Sequence, residues 1–248
     1  MGTVIAVASG KGGTGKTSLT GGISSCLAAM GHRVLCIDAD VGLRNLDIAL
    51  GLSDRVMMDF SDVLEHRCTF EEALIQHPNI EGLFLLAAPQ RLALKWDILE
   101  NDLPTFIREI KEQFDEIFID CPAGLGVGFR TAAQYADRAI VVSTMDPSRL
   151  RDAQQAISVL GELDISLRHL VVNRVQPKLL RLMKTNLDDA MDMVGLPLLG
   201  VVPEDKQVIL AAGCGEPLAL SGKGRAIVAC LHIAQRLTGM RVPLMRIR

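Results

Sequence analysis

Short runs of Val, Ile, Leu and Ala recur along the chain, and longer amphipathic stretches fill the gaps between them. Apolar runs lie at 3–8, 33–38, 83–87, 116–120, 139–144, 169–173 and 199–202. Runs this short, apolar throughout and rich in β-branched residues predict strands buried on both faces. Stretches at 16–30, 103–113, 149–160, 179–194 and 225–237 carry helix-period patterns. Strands alternating with helices predict an α/β fold, doubly wound, with a mostly parallel sheet and helices on both faces. The pattern runs to 239 without a linker, repeat or low-complexity segment, so 1–239 reads as one domain and 240–248 as a short tail.

Composition narrows the class. Hydrophobic residues make up 49% of 248, enough for one substantial core. No apolar run reaches the roughly 18 residues of a membrane span, and no basic segment precedes a cleavable apolar one, so the expected location is cytoplasmic. The six cysteines form no CxxC pair and sit mostly in apolar patterns, which argues against disulfides, zinc and an iron–sulfur scaffold. Net charge is −3 with no long basic block, which argues against DNA as a partner.

The chemistry begins at SGKGGTGKTS, directly after the first apolar run. Gly10, Gly15, Lys16 and Thr17 satisfy GxxxxGK[ST] between a predicted strand and a predicted helix, the context a P-loop requires. Gly10, Gly12, Gly13 and Gly15 let the backbone turn its N–H groups inward on phosphate oxygens, with Lys11, Thr14 and Ser18 completing the loop. Lys16 neutralises the β- and γ-phosphates of ATP, and the Thr17 hydroxyl is a hard oxygen suited to Mg2+. Lys11 is a second cation that an ordinary P-loop does not need.

Ligands of open α/β sheets bind beyond the carboxyl ends of the strands, which singles out acidic residues there. The second strand ends in Asp38-Ala39-Asp40, and the fourth in IFID followed by Cys121-Pro122-Ala123-Gly124. Asp120, after an apolar run, has the placement of a Walker B carboxylate that holds Mg2+ directly or through water. Asp40 is placed to orient the attacking water and to join Thr17 and Asp120 around the metal, partly through water.

KGGTGKT resembles the deviant Walker A motif, and DADVGLRNLDIALGL and DCPAG resemble the two switch regions of the septum site-determining branch of the MinD/ParA family. LLAAPQ, the Arg151-Asp152-Ala153 step and GVVPED extend the likeness to about Leu220. The resemblance implies a slow ATPase that forms a homodimer with ATP, Lys11 acting on the partner's nucleotide. Its catalytic residues fall on Lys11, Lys16, Asp40 and Asp120, and its adenine contacts on Asn173 and backbone near Pro203 and Glu204. It further implies recruitment of a division inhibitor of the MinC type, regulation by a MinE-type protein, and reversible peripheral attachment to the inner face of the cell membrane. A ParA-like ATPase positioning DNA or cargo is the alternative.

Three departures from the family pattern stand out. Gly126 replaces a customary glutamate, DPSRLRDAQQ is shorter and less acidic than the matching segment, and only MRVPLMRIR follows the last predicted helix. That tail carries Arg241, Arg246 and Arg248 among Met240, Val242, Leu244, Met245 and Ile247, interrupted by Pro243. At about 1 kcal/mol per arginine on an anionic surface, two tails of a dimer would be needed for firm attachment.

Overall fold

The computed structural model describes residues 1–90 and 96–247. Its centre is an eight-stranded sheet of β1 (Thr3–Ala8), β2 (Val34–Asp38), β3 (Ile75–Gln76), β4 (Leu83–Leu86), β5 (Glu116–Asp120), β6 (Arg138–Ser143), β7 (Leu167–Val175) and β8 (Leu198–Pro203). The spatial order is β3-β4-β2-β5-β1-β6-β7-β8. Every pairing is parallel except β3 with β4. All seven predicted strands occur; β3, only two residues long, is too short to leave a periodic signal.

The helices are α1 (Lys16–Ala29), α2 (Leu46–Ala49), α3 (Phe60–Leu64), α4 (Phe70–Ala73), α5 (Trp96–Gln113), α6 (Val127–Ala133), α7 (Pro147–Glu162), α8 (Pro177–Met183), α9 (Leu187–Val194), α10 (Lys206–Gly213), α11 (Leu218–Ser221) and α12 (Arg225–Leu237). The single helix expected over 179–194 is two. Lys184 turns left-handed at φ 52°, and Asn186 with Asp189 forms a capping box that starts α9 afresh. Asp146 caps α7 and Pro147 occupies its first turn, so that helix begins before the predicted boundary.

Alternate residues of each strand feed opposite core layers, as a period of two demands. Val4, Ala6 and Ala8 face one layer with Ile107 and Ile110 of α5 and Leu150 and Leu160 of α7. Ile5 and Val7 face the other, against Leu19, Ile23 and Leu27 of α1 and Cys230 and Ile233 of α12. Full burial of each such large aliphatic side chain contributes about 2 kcal/mol, so β1 is held firmly from both sides. Cys26, Cys36 and Cys121 are buried, and burial pushes their thiols up to about 12, which makes them small core residues rather than nucleophiles.

The tail lies against the body. Arg236 donates from Nε and Nη2 to the Val242 carbonyl at 3.1 and 2.9 Å, and Arg225 Nη2 donates to the Arg246 carbonyl at 2.6 Å. Met245 packs on the layer of α1 and α12 and Ile247 on the opposite layer. Arg241 and Arg246 are exposed, and Arg248 lies outside the described residues. Among the described residues no helix is long and apolar enough to cross a membrane.

Candidate functional site

β1 carries the glycine loop because its carboxyl end opens between β5 and β6 and its chain turns at once into α1. Two glycines have no substitute there. A Cβ on Gly10 would lie 2.1 Å from the Asp152 carbonyl of α7, and one on Gly15 would lie 2.3 Å from Asn173 Nδ2 at a φ of 87°. Gly13 is also left-handed, and Ser9 Oγ donates to the Lys11 carbonyl at 2.9 Å to bend the loop. Thr14 Oγ1 is buried with no hydrogen-bond partner among the described residues, so the loop holds an unsatisfied hydroxyl. Gly12 is open to solvent and Ser18 lies in the first turn of α1.

Beneath the loop, Asp120 gathers three side chains of α1. Thr17 Oγ1 donates to its Oδ2 at 2.6 Å, Lys16 Nζ to its Oδ1 at 3.2 Å, and Thr20 Oγ1 to Oδ1 at 3.4 Å. Burial pushes the Asp120 carboxyl above the usual carboxylate range, while the Lys16 ammonium and the hydrogen bonds from Thr17 and Lys16 pull it back. Register sets Asp38 directly beside Asp120 on neighbouring strands.

The two aspartates of the first switch do different work. Asp38, 1% exposed, accepts the backbone N–H groups of Asp40 at 2.9 Å, Asn45 at 3.1 Å and Leu46 at 3.0 Å. It anchors the loop from β2 to α2, and burial pushes its carboxyl up to about 6 against those hydrogen bonds. Asp40 is less buried; desolvation raises its pKa and the Lys16 ammonium lowers it. Thus Asp40 shares the field of Lys16 and remains accessible. Lys11 is 63% exposed, its Nζ 3.7 Å from Asp152 Oδ1. The other oxygen of Asp152 is buried and has no hydrogen-bond partner among the described residues.

The expected base contacts lie at the other end of the loop. Asn173 Nδ2 donates to the Thr14 carbonyl at 2.8 Å and its Oδ1 accepts from Arg174 N at 2.9 Å. The amide therefore staples β7 to the P-loop and keeps one hydrogen and one lone pair in reserve. Pro203 ends β8, and the Glu204 N–H donates to the Val175 carbonyl at 3.1 Å, so this backbone offers only carbonyl oxygens. Glu204 is engaged by Arg174, whose Nε and Nη2 reach its two oxygens at 2.8 and 3.3 Å. Arg174 sits at φ 56° with Nη1 3.5 Å from the Gly13 carbonyl.

Sequence reasoning missed the anchoring role of Asp38, the Thr20 contact and the Arg174–Glu204 bridge. Thr20 was findable, since it lies three residues after Thr17 on the same face of α1. The bridge spans 30 residues and has no local signature.

The residues fit a magnesium nucleoside triphosphate: a glycine loop left-handed at Gly13 and Gly15 with an orphan hydroxyl, a buried ammonium at its base, and a hydroxyl and carboxylate in contact as a hard-oxygen pair. This is the core of a P-loop nucleoside triphosphatase. The chain belongs to the CobQ/CobB/MinD/ParA nucleotide-binding family, whose domain matches residues 5–218. It is 39% identical over 246 residues to the septum site-determining protein MinD of Bacillus subtilis, covering 98% of this chain and 92% of that one. Its identity to the Synechocystis MinD is 40% over 245 residues, with the same coverages. The MinD chain of an Aquifex aeolicus MinC:MinD complex superposes with a TM-score of 0.90 at 35% identity, covering 99% of each chain. MinD of Pyrococcus horikoshii with Mg-ADP superposes at 0.83 and 30% identity, covering 96% of each. The chain is accordingly an ATPase of division-site placement whose cofactors are ATP and Mg2+.

Proposed function

We propose that this ATPase is a nucleotide-gated dimer that recruits a division inhibitor of the MinC type to an anionic membrane surface at the inner face of the cell. The observation that supports it best is the register of Asp38 beside Asp120, with Lys16 bonded to Asp120 and acting on Asp40. Through this arrangement the ends of both switches answer to one buried ammonium.

In this reading Lys16 moves its charge from Asp120 onto the phosphates, and the P-loop N–H groups and the Thr14 hydroxyl bind the oxygens around it. Thr17, Asp120 and Asp40 would hold Mg2+, which would supply charge neutralisation of the phosphate oxygens when bound. Asp40 orients a water molecule whose oxygen attacks the γ-phosphorus as the bond to the β-γ bridging oxygen breaks, leaving ADP and phosphate. Lys11, exposed and weakly held, extends to the nucleotide of a second copy. Asn173, through its spare hydrogen and lone pair, and the carbonyls of Pro203 and Glu204 meet the base; the exocyclic amine of adenine is a donor that carbonyls accept.

Membrane contact falls to the 240–248 tail, with a MinE-type protein as the stimulator of hydrolysis. The test is sedimentation with anionic phospholipid vesicles and, separately, with duplex DNA, each in ATP and in ADP. Pelleting with vesicles in ATP alone is the expected result. Pelleting with DNA instead would replace this reading with a ParA-like one, and pelleting with neither would remove the recruiting surface.

A further inference from the structure

The amino ends of β2 and β5, on the rim opposite the nucleotide, hold a second cluster of ligating side chains. His32 precedes β2, Asp115 precedes β5 and Glu116 begins it. One ligand atom from each lies within 4.8 Å of the other two. We propose that His32, Asp115 and Glu116 form a binding site for a divalent transition-metal ion such as Zn2+.

The backbone holds the ligands ready. Arg33 N–H donates to Asp115 Oδ2 at 2.8 Å, and the Arg33 carbonyl accepts from Asp115 N at 2.8 Å and from Glu116 N at 3.4 Å. The loop before β2 and the loop before β5 are thus stitched together beside the cluster, which limits the entropy lost when an ion arrives. His32 Nδ1 lies 3.2 Å from Glu116 Oε2, yet that oxygen is buried and receives no hydrogen bond among the described residues. An ion between imidazole and carboxylate would satisfy that buried acceptor.

Donor chemistry selects the ion. One imidazole nitrogen with two carboxylates suits a borderline cation at ligand distances of about 2.0–2.2 Å, whereas Mg2+ and Ca2+ prefer oxygen alone. Two carboxylates and a neutral imidazole also balance the charge of a divalent ion. The ligands border an open cleft of about 620 Å³ that includes Met1, Lys111 and Glu112, so a hydrated ion has access and waters can complete its shell. The Arg33 guanidinium does not compete, since it lies over the Phe84 and Phe114 rings at 4.8 and 5.1 Å. Arg138 does act on Glu116 and would weaken the site, although its Nη1 is tied to the Leu237 carbonyl at 3.2 Å. An ion here would join the starts of the two strands that end in Asp38 and Asp120.

The test uses chelator-treated, nucleotide-free protein titrated with Zn2+ by calorimetry and with Co2+ by visible absorption. One equivalent should bind at micromolar concentration, with a Co2+ ligand-field band. His32→Ala and Glu116→Gln should each weaken binding on the order of tenfold or more. Asp120→Asn and Cys214→Ser should leave it unchanged, which separates the site from the nucleotide pocket and from the exposed thiol. Circular dichroism confirms that each variant folds, and Glu116→Gln keeps the side-chain shape should His32→Ala fail to. Absence of binding at micromolar metal, or binding that survives both substitutions, would overturn the proposal.

Discussion

Replacing Gly15 with alanine tests the way β7 clamps the P-loop. The new methyl would meet Asn173 Nδ2 at 2.3 Å, and the backbone there holds φ at 87°. The left-handed conformation costs a residue with a Cβ about 1–2 kcal/mol. Displacing the amide breaks its bond to the Thr14 carbonyl, a further loss of about 1–3 kcal/mol if that group stays buried and unpaired. Asn173→Ala alone loses the same bond, so the second cost is shared. The double variant Gly15→Ala/Asn173→Ala should therefore be destabilised by about 1–3 kcal/mol less than the sum of the single changes. Urea unfolding of the nucleotide-free protein, comparing midpoints at constant slope, measures each corner of the cycle. Additivity within about 0.5 kcal/mol would refute the clash and with it the view that Gly15 is required by Asn173 as well as by its own φ.

Lys16→Ala should abolish nucleotide binding, whereas Lys11→Ala should retain ADP and lose the ATP dimer; ADP titration and size-exclusion chromatography in Mg·ATP distinguish them, and equal loss of ADP affinity would remove the trans role. Asp40→Ala should bind ATP and accumulate as dimer without turnover, and a monomeric variant that still hydrolyses would take Asp40 out of the mechanism. Asp38 predicts a pH dependence. Its folded pKa of about 6 stands above the ordinary 3.8, so its contribution to stability is fully present below that ordinary value and is lost as pH rises through about 6. The stability of the wild type relative to Asp38→Asn should fall by about 3 kcal/mol between about pH 4 and pH 7, and a flat difference in chemical denaturation would contradict the burial argument.

What was legible in the sequence is what local spacing controls. The P-loop frame, the seven strands and the aspartate after IFI all follow from residues adjacent in the chain, where periodicity and glycine placement act directly. The switch pair was visible as DAD, but only the neighbouring β5 and the returning N–H groups of Asn45 and Leu46 divide its labour. The Asn173 staple spans 159 residues and the Lys11–Asp152 approach depends on how α7 meets the loop, and neither leaves a trace in composition. The break at Lys184 was missed because the apolar period carries across it, although Asn186 and Asp189 spell a capping box for a reader who weighs caps above period.

The sheet order explains why so few residues suffice for a switch. Because β1 pairs with β5 and β5 with β2, the P-loop, Asp120 and Asp38 emerge side by side with no insertion to bring them together. The Lys16–Asp120 contact at 3.2 Å is worth about 5 kcal/mol of Coulomb attraction at an effective dielectric of about 20, before desolvation is charged against it. A triphosphate competes for that same ammonium. With Lys16 turned to the phosphates, as proposed, Asp120, at 1% exposure, would face Asp38, Asp40 and the phosphate charge without a cationic partner. Protonation or a cation must then replace the lysine. The Thr17 hydroxyl at 2.6 Å supplies the second hard oxygen that favours the cation. In the proposed mechanism nucleotide affinity and Mg2+ dependence are therefore one property of this site, and Asp40, on which Lys16 acts, would register the exchange as a change in its own field.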